Sequence, residues 1–372
     1  LNVSMQLLGR VAIIFGTVLV SILNLVVFSD SSEMTELEKI NAYGEIYLYS
    51  LVVPIISISG IILAYFNKQN KLNALIKNGI EPLKAKNMIF AIPEITKPNL
   101  LIIIGSIIFV FFTLAIGTSS IKFSQEIVFV GSFCIILFLL LKLSKELDVN
   151  AKKMLLGTAI AIFAFRAMPS VGPGGSWFEI DVLDFDQEFL SLLGLIASIL
   201  TILGIFILRP LMEKSSMTKL IVILSIAGSL FILPSIAMFY GFHEYTSKIT
   251  NGLIDARFIA IFNTALESPL GQVSMIPILA WIAQSAPSHL KATFFAVLAS
   301  FTNLALSASN LGTKYLNQIF VITREVKTDK GDIKIPEDYS DLGILLIIVA
   351  ILTLSIPIIV TYVIKKVRLV SY

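Results

Sequence analysis

The chain has 372 residues, of which 56% are hydrophobic and 14% charged, with a mean hydropathy of +0.89 and a formal net charge of +3. Soluble domains carry about 25% charged residues, so this composition cannot cover a water-facing surface, and no nucleic-acid partner is expected. The apolar residues fall in blocks of about 20, the length at which a helix crosses roughly 30 Å of hydrocarbon. The expected fold class is an all-α polytopic membrane protein of about ten transmembrane helices embedded in the lipid bilayer.

In chain order, spans are expected over 11–28, 45–66, 99–118, 127–144, 154–176, 189–208, 219–241, 257–283, 293–321 and 341–364. The segments between them alternate in charge. Those on the side of the two termini hold about twice as many Lys and Arg as those on the other side, where Glu33, Glu36, Glu38, Glu179, Asp181 and Asp184 gather. Cytoplasmic segments retain Lys and Arg, which puts both termini in the cytoplasm of a protein of the cell membrane. Trp177 and Trp281 fall at opposite expected interfaces, where amphipathic rings settle. The chain starts at Leu1 with no signal-peptide pattern, and missing upstream sequence is the simplest account.

Four regions follow. Residues 1–66 hold two spans of an N-terminal half. Residues 67–98 form a basic cytoplasmic loop (Lys68, Lys71, Lys77, Lys84, Lys86, Lys97) that either contacts anionic lipid or only retains topology. Residues 99–144 hold two further spans, either the end of that half or an extra central pair. Residues 152–372 form a six-span C-terminal half. Cys134 is the only cysteine and His243 and His289 the only histidines. No metal, cofactor or phosphate-loop motif is present, so no cofactor is expected.

Several residues at membrane depth need a reason. In the fifth span only about 15 residues, some 22 Å of helix, precede Pro169, and Pro173 and Gly174 continue a composition that breaks helices. Arg166 either lies just below such a break, lining a cavity, or snorkels to the headgroups. In the eighth span Glu267 is ten residues from Arg257, roughly 15 Å inward, where a charge costs at least about 2.5–3.5 kcal/mol. Pro269 frees a backbone carbonyl beside it. Pairing Arg166 with Glu267 is the economical expectation, since each offsets the other's desolvation. In the ninth span Asn303, Ser307, Asn310 and Lys314 share one helical face. That face either packs against another helix, as do Ala305 and Ser309 at small-residue spacing, or lines a pathway.

The stretch LESPLGQVSMIPILAWIAQSAPSHLKATFFAVLASFTNLALSASN, from Leu266 to Asn310, carries Leu270-Gly271-Gln272, Pro277, Pro287, Ala292-Thr293-Phe294-Phe295-Ala296, and Ser300 with Asn303. It resembles the folate–biopterin transporter family of the major facilitator superfamily, as does the run Phe165–Ser170 followed by Glu188-Phe189-Leu190. The likeness covers mainly 160–315. It departs at Lys291, where the family has an acidic residue, and at Asn263, where an Asp is common. The resemblance implies that the fifth and eighth spans line a central cavity, with Arg166, Asn263, Glu267 and Gln272 beside the pathway. It also implies two halves that rock about a central site, the N-terminal one incomplete here.

The leading expectation is therefore a secondary transporter, not an enzyme, that moves a small polar or anionic organic solute by alternating access. Arg166 suits an anionic group. Glu267 is a candidate proton carrier for symport, because burial favours the neutral form of a carboxylate. The alternatives are a membrane-embedded enzyme acting on lipid-linked substrates, or a non-transporting scaffold or sensor of transporter ancestry.

Overall fold

The computed structural model describes residues 2–28, 34–90, 100–285, 291–327 and 333–369. Its first helix, α1 (Asn2–Val27), is apolar from Leu7 onward. Helix α2 (Glu36–Tyr49) starts at a capping box: the Glu38 N–H donates to Thr35 Oγ1 at 3.3 Å, and the Thr35 N–H donates to Glu38 Oε2 at 2.7 Å. Reciprocal caps of this kind satisfy two of the open donors of a first turn. Ser50 and Leu51 keep helical dihedrals, so α2 runs almost directly into α3 (Val52–Lys77). After a turn at Gly79, Pro82 opens the short α4 (Pro82–Ile89). Much of 29–45 and of the basic 67–98 segment is thus helix rather than loop: polar residues extend an apolar helix beyond the hydrocarbon.

Helices α5 (Leu100–Gly117) and α6 (Ser124–Leu143) form a hairpin. Next come α7 (Val149–Arg166), capped by Asp148, and α8 (Pro173–Asp181). They are followed by α9 (Gln187–Ile207), capped by Asp186, and by the short α10 (Arg209–Lys214). Helix α11 (Met217–Phe239) begins at Ser216, and α12 (Phe242–Ile249) follows it. Helices α13 (Ala256–Glu267), α14 (Met275–Ser285), α15 (Lys291–Ile319) and α16 (Leu342–Lys366) complete the body. Asp148, Asp186 and Asp255 each accept from a backbone N–H three residues on, a bond whose loss costs about 1 kcal/mol.

Among the described residues, seven helical stretches are long and apolar enough to cross a membrane by length and composition. They correspond to α1, α2–α3 as one run, α6, α9, α11, α15 and α16. The other expected spans are α5, α7 with α8, and the pair α13 and α14. The protein is an all-α integral membrane protein with one exception, a hairpin of β1 (Val326–Lys327) and β2 (Ile333–Ile335) in the polar segment before α16.

Packing orders these elements. Helix α16 lies along α11 and α7, α15 along α7 and α14, and α13 between α9 and α11. Buried Ile162, Ile282, Phe294 and Leu298 knit α7, α14 and α15 together with α6. Phe178, Phe185, Phe189 and Leu342 close the α8 end. Leu7 and Ile14 join α1 to Ile205 of α9 and Ile276 of α14. The group α7–α16 is thus flanked by α1 on one side and by the α5–α6 hairpin, packed on α15, on another. Helix α3 exposes Ile55, Ile58, Ile61 and Leu63, surface that the bilayer covers.

Candidate functional site

Two spans are interrupted, and their surroundings differ. The first break separates α7 from α8. Helix α7 stops at Arg166, and Pro169 lies in the connection. Gly172 takes φ +79, a left-handed value that disfavours a side chain, and Pro173 opens α8 in its first turn with Gly174 buried beside it. The face of α15 that meets this break is polar. Ser309 Oγ donates to the Met168 carbonyl, the Ser170 N–H donates to Thr313 Oγ1 at 2.9 Å, and Asn317 Nδ2 donates to the Val171 carbonyl at 3.1 Å. Ser309, Thr313 and Asn317 recur every four residues and so stand in one row. They supply partners that the broken helix lost, which is the condition for irregular backbone at membrane depth.

The second break separates α13 from α14. Helix α13 ends at Glu267, a single 3₁₀ turn (Ser268–Leu270) carries Pro269, and α14 resumes at Met275. Helix α9 reaches this turn closely because residue 204 is glycine: a Cβ there would meet Pro269 backbone atoms at 2.3–2.7 Å. Thr201 Oγ1 donates to the Ser268 carbonyl at 2.9 Å. Two carboxamide oxygens nearby in the chain, Asn263 Oδ1 and Gln272 Oε1, are buried with no hydrogen-bond partner among the described residues. Such groups cost roughly 1–3 kcal/mol each when left unmet. The Glu267 side chain is exposed and makes no ion pair among the described residues.

Arg166 and Glu267 therefore do not pair. The 3₁₀ turn carries the chain past the carboxylate, so that Met275 meets the arginine: Nη1 donates to Met275 Sδ at 3.0 Å, and Nε is buried without a partner. Helical periodicity ranks positions along a span but does not fix which neighbour a side chain faces.

A cavity of about 1270 Å³ lies between α5, α6 and α15. From α15 it is lined by Ala296, Ser300, Asn303, Ser307, Asn310 and Lys314, so the polar stripe faces open space rather than a packed neighbour. Helix α5 adds Ser106 and Thr113, whose buried Oγ1 has no partner, and α6 adds Ser124, Gln125 and Ser132. Phe109, Phe129 and Ile136 make the apolar walls. At one end Lys314 Nζ and Tyr315 Oη both donate to Glu126 Oε1, at 2.8 and 2.7 Å, which leaves Glu126 Oε2 buried and unmet.

Of the residues singled out from sequence, Asn303 and Asn310 line this cavity, while Arg166, Asn263, Glu267 and Gln272 do not. The contributions of α5 and α6 were missed. Their signal was present: Ser106, Phe109, Thr113 and Gly117 recur at helical spacing, as do Gln125, Val128, Ser132 and Ile136.

A polar cluster ties α8 to the segment before α16. Arg324 donates to both oxygens of Asp181, at 2.7 and 2.6 Å, and Tyr339 Oη donates to Asp181 Oδ2 at 2.7 Å. Burial opposes the Asp181 charge, but the guanidinium and the phenol prevail and hold its carboxyl below the ordinary value. The polar segment before α16 is thus anchored to α8. Arg257, exposed at the start of α13, bonds Asp186 at 3.0 Å.

A folate-biopterin transporter of Synechocystis sp. (strain ATCC 27184 / PCC 6803 / Kazusa) is 24% identical over 157 residues, covering 42% of this chain and 30% of that protein. The aligned part thus spans less than a third of that relative's length. A second likeness is far more extensive, because the BT1 family model matches residues 3–371. With nearly every helix inside that match, the chain belongs to the BT1 family.

Proposed function

We propose that this protein carries a small polar organic solute, folate- or pterin-like in its chemistry, across the bilayer by alternating access. One observation carries the reading: a cavity of about 1270 Å³ between three apolar helices, with their hydroxyl and carboxamide groups set among aromatic and aliphatic walls. Solute sites are concave, mostly apolar and furnished with a few oriented polar groups, and this volume holds a bicyclic solute with water to spare. Family membership and the name of the Synechocystis relative support the same class.

In this reading the α7–α16 group is one half of a major-facilitator-like architecture that rocks against the preceding helices, with α15 and α6 sliding at the cavity. The residues proposed to touch solute are Asn303, Asn310, Ser307 and Gln125. Proton coupling belongs to the proposal through Glu267, an unpaired carboxylate beside a break in its span. The termini are proposed to face the cytoplasm on the strength of the Lys and Arg distribution.

The test is uptake of labelled folate and biopterin into proteoliposomes, with and without an inward pH gradient. Replacing Asn303 and Asn310 together by Ala removes two hydrogen bonds of about 1 kcal/mol each, which predicts a fall in uptake of about thirtyfold with normal assembly. Glu267→Gln is expected to abolish stimulation by the gradient while leaving downhill exchange. Uptake that the Asn303/Asn310 double variant leaves unchanged would overturn the assignment of the cavity.

A further inference from the structure

Helix α1 and the end of α7 pack on one apolar cluster, beside which positive charge accumulates without a counter-charge among the described residues. Leu7, Val11 and Ile14 of α1 pack in one cluster with Phe165 of α7, Val273 and Ile276. Arg10 follows Leu7 and precedes Val11, and Arg166 follows Phe165, so both guanidinium groups arise from this junction. Arg10 lies close enough to repel the charge of Arg166, and both side chains are part-buried. Neither forms an ion pair among the described residues.

The hydrogen bonding points the same way. Arg166 spends Nη1 on a thioether sulfur at 3.0 Å, a weak acceptor, and its Nε is buried and unmet. A guanidinium carries five donors in a planar fork matched to carboxylate and phosphate oxygens. Two forks rising beside one packed cluster, part-buried and with no ion-pair partner among the described residues, make up the protein's half of an oxyanion site.

We propose that Arg10 and Arg166 together hold one oxyanion, a carboxylate or phosphate group, at the junction of α1, α7 and α14. The site is separate from the α5–α6–α15 cavity, none of whose lining residues it shares. Its two arms sit on different bodies, Arg10 on the flanking α1 and Arg166 within the α7–α16 group. A bound anion ties those bodies together, and its departure restores the repulsion between them. For that role the assignment rests on the transport reading. Binding itself is read without any flux, so the two fail separately.

The oxyanion belongs either to a soluble acid or to a lipid headgroup, and the experiment separates them. The full chain is placed in nanodiscs of phosphatidylcholine alone or with phosphatidylglycerol, and its melting temperature is followed while glutarate or inorganic phosphate is titrated. A rise with glutarate or phosphate in phosphatidylcholine, with apparent affinity weakened about tenfold or more by Arg10→Gln and by Arg166→Gln, supports a soluble acid. A rise produced by phosphatidylglycerol alone and lost in both variants supports a headgroup. Arg10→Lys keeps the charge without the fork and controls for misfolding; a partial loss is expected. No rise with any of the three probes, or a rise that Arg10→Gln leaves intact, overturns the assignment.

Discussion

The two broken spans use the same residue types to opposite ends. At the α7–α8 break, a row of Ser309, Thr313 and Asn317 on α15 meets backbone groups that the interruption frees. At the α13–α14 break, α9 seals one carbonyl through Thr201, while the Asn263 and Gln272 oxygens stay buried and unmet and Glu267 stays unpaired. Proline and glycine mark where a helix ends; hydrogen-bond satisfaction tells whether the ending is a joint or a place held open for something else. The first break is a structural joint. The second has acceptors in reserve.

The comparison can be broken most forcefully at Gly204. Gly204→Val pushes two methyl groups into the Pro269 backbone. It is expected to cost about 2–3 kcal/mol and to appear as loss of monodisperse protein on size-exclusion chromatography. Next comes the joint itself. Ser309→Ala with Asn317→Ala strands two carbonyls, at about 0.6 to 1.7 kcal/mol per lost bond in a membrane, read as a drop of several degrees in melting temperature. If that double variant melts normally, the first break does not depend on α15.

A smaller effect is expected at the α8 cluster. Asp181 has its folded-state pKa depressed, so its pairing contributes stability above the unfolded value near pH 4. That contribution is lost as pH falls through the lower folded value. With Arg324 46% exposed and Asp181 20%, the amount is below about 1 kcal/mol. Melting curves of wild type and Asp181→Asn should therefore differ at pH 7 and converge in acid.

The smallest stability effect is the sharpest test of the contrast. Gln272→Leu removes an unmet buried oxygen and should leave the melting temperature unchanged or slightly raised. Uptake should nonetheless fall if the reserve acceptors serve the transport cycle. A large destabilisation by this variant would show that the second break is as structural as the first.

The apolar runs were legible because hydrocarbon thickness sets their length whatever their neighbours, and they fall on helices, two of them interrupted. The polar stripe of α15 was legible as a face, since Asn303, Ser307 and Asn310 follow the helical repeat. Whether that face packs or lines space depends on α5 and α6, more than 150 residues away in the chain. The Arg166–Glu267 expectation failed for the same reason: the two residues sit on different spans, and the periodicity within each helix does not say which neighbour a side chain on it will face. Arg324 gave no sign of its partner, because Asp181 lies 143 residues earlier, at the end of α8, with nothing in the sequence to link the two.

The α2–α3 run has a mechanical consequence of its own. Its 41 residues from Leu37 to Lys77 measure roughly 60 Å, about twice the oily layer, yet the apolar stretch within them is close to a single crossing. Both polar ends must project into water or lie along the headgroups. Because this rod touches the body chiefly where Ala42 and Ile46 meet Phe28, its tilt is set largely by the surrounding lipid. A thinner or thicker bilayer will swing it, and α1 will feel the torque.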